Sequence, residues 1–247
     1  MATRFHIGAK DLKGDIAAYA KRFDLLEVAT SSARGPAPSA ATLRRWRRAT
    51  PAHFEFSVVA GLTVDQLKPG AAMEAEVERM LALVSTLRAR VLVLKTPTQV
   101  TPARVWRDRM ASLSQRLPRD ATRVVWEPSG IWEAEDAARQ AHALGMVTSV
   151  DASRDEVPAG PVAYCRLRAL GETRSFGPSA LGRIIARIGD RQDAYVVLET
   201  DGALAECKAL RRLVATAGTG EGGLGRILRP RRGLPGDTRD VHEREEE

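Results

Sequence analysis

Short apolar or β-branched runs recur along the chain, separated by longer stretches whose apolar residues fall three and four apart. The short runs predict eight strands, near Phe5–Gly8, Leu25–Thr30, Glu55–Ala60, Val91–Leu94, Arg123–Glu127, Met146–Asp151, Ala163–Arg168 and Tyr195–Glu199. The longer stretches predict helices. They lie at Asp15–Arg22, Ser39–Ala49, Ala71–Ala89, Thr101–Leu117, Glu133–Leu144, Pro178–Ile188 and Ala203–Ala217. In Ala71–Ala89, Met73, Val77, Met80, Leu81, Val84 and Leu87 share one face, with Glu74, Glu76, Glu78 and Arg79 opposite. Ser39 is placed to cap its helix, and Thr101-Pro102 reads as a cap followed by proline at the first helical position. Gly145, Gly189 and Gly218 mark helix ends.

Strand and helix alternating in this way imply parallel pairing with crossover helices. Eight units of about 27 residues predict a closed (β/α)8 TIM barrel. An open doubly wound sheet is the alternative, but the first turn, Gly8-Ala9-Lys10-Asp11, has no GxGxxG. Between Asp151 and Ala163 there is no room for a full helix, so the sixth connection is expected to be a loop and the barrel slightly irregular. The barrel domain is expected to span residues 1–217. Residues 218–247 are Gly, Pro, Arg and acid with few large apolar side chains, which predicts a disordered tail.

Composition narrows the class of protein. The chain has 247 residues, enough for one large α/β domain without a stabilising metal or disulfide. No stretch approaches the roughly 18–20 apolar residues of a membrane span, so no membrane partner is expected. Arg4, His6 and Lys10 interrupt any signal-peptide core near the start, and the two cysteines, Cys165 and Cys207, suit a reducing cytoplasm. The formal net charge of +7 admits an acidic partner. Its densest source is Arg44, Arg45, Arg47 and Arg48 around Trp46, either a solvated helix or a phosphate-facing patch for nucleic acid. Aromatic residues make up only 5%, and no interleaved aromatic-basic run offers a single-strand platform.

In a TIM barrel, binding and catalytic groups gather where the strands end. Glu127, Asp151, Glu199 and Lys95 each end a predicted strand, while Glu27 and Arg166 interrupt otherwise apolar ones. Buried carboxylates need partners, and placing these four acids around one rim with Arg166 and Lys95 supplies them. The same arrangement supplies groups for general acid–base chemistry. A structural ion-pair network closing the barrel is the competing reading, and Asp151 also suits a capping role. Trp126 and Trp132 flank Glu127; each is either core or a surface for stacking a sugar or base. His6, His53, His142 and His242 show no metal-ligand spacing, so neither metal nor cofactor is expected. There is no GxSxG nucleophile motif, and the glycine-rich GTGEGGLG at 218–225 lacks a Walker ending.

The ordered set of motifs resembles the family called domain of unknown function 72 (YecE-like), over roughly Phe5 to Leu213. The resemblance rests on Phe-His-Ile-Gly at 5–8, Tyr19-Ala-Lys-Arg-Phe-Asp-Leu-Leu-Glu27-Val, Leu43-Arg-Arg-Trp46 and the stretch from Thr50 to Val58. Trp126-Glu127-Pro128-Ser129-Gly130-Ile131-Trp132, Asp151, Tyr164-Cys-Arg166-Leu and Tyr195-Val continue it. The family's usual residues are replaced at Ala29–Ser32, Val59, Lys95, Arg168-Ala169 and Glu199-Thr200. The resemblance implies a TIM barrel and no particular activity.

Two functional readings follow. In the first, the chain is a barrel enzyme acting on a small polar or phosphorylated ligand by hydrolytic or phosphate-ester chemistry. Glu127 is then acid or base, Glu27 its carboxylate partner and Arg166 the anion clamp, while Asp151 orients a donor or a metal-bound water. Lys95, Trp126, Trp132, Arg168 and Glu199 complete the binding set. In the second, a non-catalytic barrel binds nucleic acid or another acidic partner through Arg44, Arg45, Arg47 and Arg48.

Overall fold

Eight parallel strands close on themselves in the computed structural model, which describes residues 3–12, 14–32, 35–36, 38–118, 121–169 and 175–218. The barrel strands are β1 (Arg4–Lys10), β2 (Leu25–Ala29), β5 (Glu55–Val59), β6 (Val91–Lys95), β7 (Arg123–Glu127), β8 (Val147–Val150), β9 (Val162–Leu167) and β10 (Asp193–Leu198). Each pairs with the next in sequence, and β1 pairs with β10 to close the ring. All eight expected strands are present within a residue or two of their expected ends.

Strand alternation sorts the apolar residues into two layers. Leu25, Val59, Val91, Val93, Val125, Val162, Tyr164, Tyr195 and Val197 pack together inside the barrel. Their chain neighbours, including Leu26, Leu92, Leu94, Trp126 and Cys165, face outward under the helices. The helices are α1 (Ile16–Ala20), α2 (Ala40–Ala49), α3 (Leu62–Asp65), α4 (Ala71–Leu87), α5 (Arg104–Ser114), α6 (Ala134–Ala143), α7 (Pro178–Ile188) and α8 (Ala203–Gly218). On α4, Met73, Val77, Met80, Val84 and Leu87 are buried as the periodicity requires. Ser39 caps α2 by accepting the Thr42 N–H at 3.2 Å.

The expectations fail at three points. Glu76, assigned to the exposed face of α4, is buried, where it accepts a hydrogen bond from Thr30 (2.8 Å) and pairs with Arg79. Helix α5 starts at Arg104 after an extended Ala103, so Thr101-Pro102 does not cap it. The Arg107 side chain takes the Pro102 carbonyl at 2.8 Å, which fixes that segment outside the helix. The one-turn α3 and a small antiparallel pair, β3 (Ser31–Ser32) with β4 (Gly35–Pro36), lack the length for a periodic signal.

The connection from β8 to β9 has no helix, as expected. Arg191 holds it instead, donating to the carbonyls of Val157 (3.1 Å), Pro158 (2.5 Å) and Gly160 (3.1 Å). Arg187 donates to the Ala152 carbonyl at 2.8 Å. Of the expected tail, Gly218 ends α8, and 219–247 lie outside the described residues.

Candidate functional site

The inward-facing positions at the C-terminal ends of the strands are polar. Register places Lys10 beside Glu27, Glu27 beside Ser57, and Lys95 beside Glu127. Arg166 lies at the centre of this layer with a side-chain exposure of 1%. Its guanidinium holds Glu27 in a fork, Nη1 to Oε1 at 2.7 Å and Nη2 to Oε2 at 2.5 Å, and its Nε donates to Glu127 Oε2 at 2.7 Å. Such bidentate, charge-assisted bonds offset the desolvation of a buried ion better than single contacts do. Below it the Tyr164 hydroxyl donates to Glu27 Oε2 at 2.7 Å and accepts from Ser57 at 3.1 Å.

Three cations rise above this layer toward solvent. Arg168 donates to Glu127 Oε1 (2.5 Å) and Glu199 Oε2 (3.2 Å), Lys10 to Glu199 Oε1 (2.6 Å), and Lys95 stands 3.8 Å from Glu127 Oε1. Their side chains are 30–39% exposed, while those of Glu127 and Glu199 are 10% and 25% exposed. The acids therefore lie lower and the bases higher.

Burial alone raises the Glu127 carboxyl, but Arg166, Lys95 and Arg168 outweigh it and hold the group below the usual carboxylate range. Glu199 is lowered to about 2: burial opposes the shift, and the Lys10 hydrogen bond with the charges of Arg166, Lys10 and Lys95 overcomes it. Both are ionised at neutral pH. Desolvation lowers both arginines, but Glu27, Tyr164 and Glu127 raise Arg166 and Glu127 and Glu199 raise Arg168, so both end above the ordinary value.

Asp151 stands slightly apart. Its Oδ1 accepts from the Ser153 N–H (3.0 Å) and hydroxyl (2.6 Å), and its Oδ2 from the Arg168 N–H (3.1 Å) and Arg154 (3.2 Å). Those bonds fill the roughly four acceptor sites of a carboxylate. Asp151 thus fixes the loop and the Arg168 backbone, and it has no free lone pair to orient a donor or a metal-bound water. Among the described residues, no three His, Cys, Asp or Glu side chains gather to hold a metal ion.

The site departs from the expected set elsewhere as well. Trp126 does not reach the mouth: next to the inward Glu127 it must point outward, where it is fully buried and donates to Thr96 at 2.9 Å. Trp132 does line the mouth, with its indole N–H on the Val100 carbonyl (2.7 Å) and Arg107 over its ring. Arg166 is enclosed with every nitrogen engaged, so it cannot clamp a ligand directly. Of the four clustered arginines, Arg47 is spent on the carbonyls of Phe54, Thr50 and Pro51, leaving Arg44, Arg45 and Arg48 exposed.

Sequence reasoning missed Lys10, Ser149 and Asp65. Lys10 shares the inward parity of Gly8, so alternation along β1 carried the signal. Ser149 has a buried hydroxyl without a hydrogen-bond partner among the described residues and lines the hollow of about 330 Å³ that Glu127, Trp132, Asp151, Arg166 and Arg168 also line. Asp65, on the short α3, is buried and accepts the Lys95 N–H at 3.0 Å. Desolvation raises its carboxyl to about 8, with the Lys95 N–H and charge opposing and Glu127 and Glu76 reinforcing.

A folded-state value above the unfolded one makes the protonated form the stabilised form. The contribution is complete below the unfolded value near pH 4 and is lost as pH rises through about 8. Asp65→Asn keeps the acceptor and removes the titration. Water reaching the rim reduces the full linkage value, so the variant is expected to gain on the order of 2 kcal/mol over the wild type between pH 5 and pH 9. Urea unfolding at the two pH values measures this, and parallel pH profiles would contradict it.

A closed parallel barrel with a charged, ion-paired layer at the strand C-termini defines this chain as a TIM-barrel protein. It belongs to the family described as Protein of unknown function DUF72, whose model matches residues 5–226. No curated protein matches it. Among solved structures it is similar to a DUF72 family protein from Enterococcus faecalis V583, with TM-score 0.65, 11% identity, and coverage of 85% of this chain and 95% of that one. A DUF72 family protein from Thermotoga maritima MSB8 gives 0.60 at 15% identity, covering 86% and 99%. A xylose isomerase domain containing protein from Salmonella typhimurium LT2 gives 0.57 at 15% identity, covering 88% and 97%. At these identities the structural likenesses speak for the fold alone.

Proposed function

We propose that the C-terminal mouth of the barrel binds a small anionic ligand, a phosphorylated metabolite by class, and acts on its phosphate ester. The observation that carries this reading is the vertical order of charge. Lys10, Lys95 and Arg168 rise toward solvent above the more deeply buried Glu27, Glu127 and Glu199. A ligand phosphate entering the mouth meets these cations before the carboxylates beneath them, and their remaining N–H groups can donate to it. Arg168 takes the clamp role, with its backbone set by Asp151. Glu127, held ionised, suits the base or the electrostatic partner of a developing positive charge and not the proton donor at neutral pH. Glu27, Tyr164 and Ser57 position Arg166, and Arg166 positions Glu127. The Ser149 hydroxyl, without a partner among the described residues, is a further donor lining the hollow.

Titration calorimetry with inorganic phosphate and glucose 6-phosphate tests the binding. Wild type is expected to bind in the millimolar range or tighter, and Lys10→Met and Arg168→Met each to weaken it about tenfold. Absence of binding to either probe, or equal binding by these variants, overturns the proposal. With a chromogenic phosphate ester, Glu127→Gln is expected to lower turnover about 10²–10⁴-fold, and unchanged turnover removes Glu127 from the chemistry.

A further inference from the structure

At the opposite end of the barrel, a hollow of about 700 Å³ opens between the starts of β1, β6, β7 and β10. Four arginines surround it: Arg4 on β1, Arg88 and Arg90 in the turn from α4 to β6, and Arg123 at the start of β7. Arg4 pairs with Asp193 at 2.9 Å and Arg90 with Glu55 at 3.5 Å, so these two are steered. The side chains of Arg88 and Arg123 are exposed and make no hydrogen bond or ion pair among the described residues. Tyr195 is 4% exposed and lines the hollow, its ring stacked on His6 at 4.6 Å and its hydroxyl without a hydrogen-bond partner among the described residues.

A second feature points the same way. Arg88 ends α4 in the left-handed region, φ 50° and ψ 46°, with its N–H on the Ser85 carbonyl and the Ala89 N–H on that of Val84. Glycine is the favoured residue for this helix end, because any Cβ there is strained. An arginine at a glycine position keeps strain that its own backbone does not need, in return for a guanidinium over the hollow.

We propose that this basal hollow is a binding site for a compact polyanion bearing two or more adjacent phosphates, gripped by Arg88 and Arg123 and flanked by Arg4 and Arg90. The size suits a small-molecule ligand. Guanidiniums match phosphate oxygens in pairs, and four around one hollow match several phosphates better than one. The buried Tyr195 ring offers no open face for stacking a base, which favours a compact polyphosphate over single-stranded nucleic acid.

Titration calorimetry of the full chain with inorganic tripolyphosphate tests the site, with orthophosphate and a thymidine oligonucleotide as comparisons. Wild type is expected to bind tripolyphosphate at least tenfold more tightly than orthophosphate. Arg88→Gly relieves the strained turn, so it is expected to melt at or above the wild-type temperature while losing about tenfold in affinity. Arg123→Gln is expected to lose a similar factor, and Arg104→Gln on the outer face of α5, away from both ends of the barrel, to lose none. Unchanged affinity in both the Arg88 and Arg123 variants overturns the site, as does an equal loss in the Arg104 variant. Tighter binding of the oligonucleotide than of tripolyphosphate overturns the ligand class in favour of nucleic acid.

Discussion

Replacing Arg166 by methionine is expected to cost about 3–5 kcal/mol of stability at pH 7, because it leaves charged carboxylates buried without their partner. Methionine fills much of the same space, so the loss is not chiefly one of packing. Among the described residues, Glu27 would keep the Tyr164 hydroxyl alone, and Glu127 would keep Lys95 and Arg168. Adding Glu27→Gln to Arg166→Met is expected to recover much of the loss, since an uncharged amide tolerates the site far better than an orphaned carboxylate. Urea unfolding of the single and double variants gives both numbers. A single-variant cost below about 1 kcal/mol, or a double variant less stable than the single, would show that the layer is not held by charge pairing.

Gly8→Ala is expected to have an effect at least as large, on the order of 5 kcal/mol or outright failure to fold. A Cβ at Gly8 would lie 1.7 Å from the Leu25 carbonyl oxygen and 2.5 Å from its carbon. The clash is with the backbone of the neighbouring strand, so no rotamer change relieves it and β1 must move away from β2. That movement would also break the bridge in which the Tyr19 hydroxyl accepts the Ala9 N–H and donates to the Leu25 carbonyl, both at 2.8 Å. Soluble yield and circular dichroism distinguish the outcomes. A variant that folds with wild-type stability would contradict the strand spacing described for β1 and β2.

The barrel was legible because its strands are fully covered on both sides and therefore read as nearly continuous apolar runs. In that background each inward charge stands out, which is how Glu27, Glu127, Arg166 and Glu199 could be placed on one rim from residue order alone. The same alternation assigns Trp126 outward, but adjacency to Glu127 suggested otherwise. Asp65 was hidden because a four-residue helix has no period to read. The enclosure of Arg166 was hidden for a different reason: composition shows that an arginine is near acids, and only three-dimensional packing shows that every nitrogen is taken. Glu76 looked solvated because a carboxylate on a helix usually is. Thr30, more than forty residues away, is what draws it in.

In seven of eight barrel units a helix sets how long the crossover must be, since its face has to meet the strands. The unit between β8 and β9 is sized differently. Three main-chain carbonyls there, of Val157, Pro158 and Gly160, converge on the single guanidinium of Arg191, a side chain that belongs to a later unit. One residue inserted or removed between 152 and 160 would shift which oxygens arrive at that planar group. The segment's length is thus dictated at a distance by one donor's shape, and a homologous chain that grew a helix here would be released from keeping an arginine at that place.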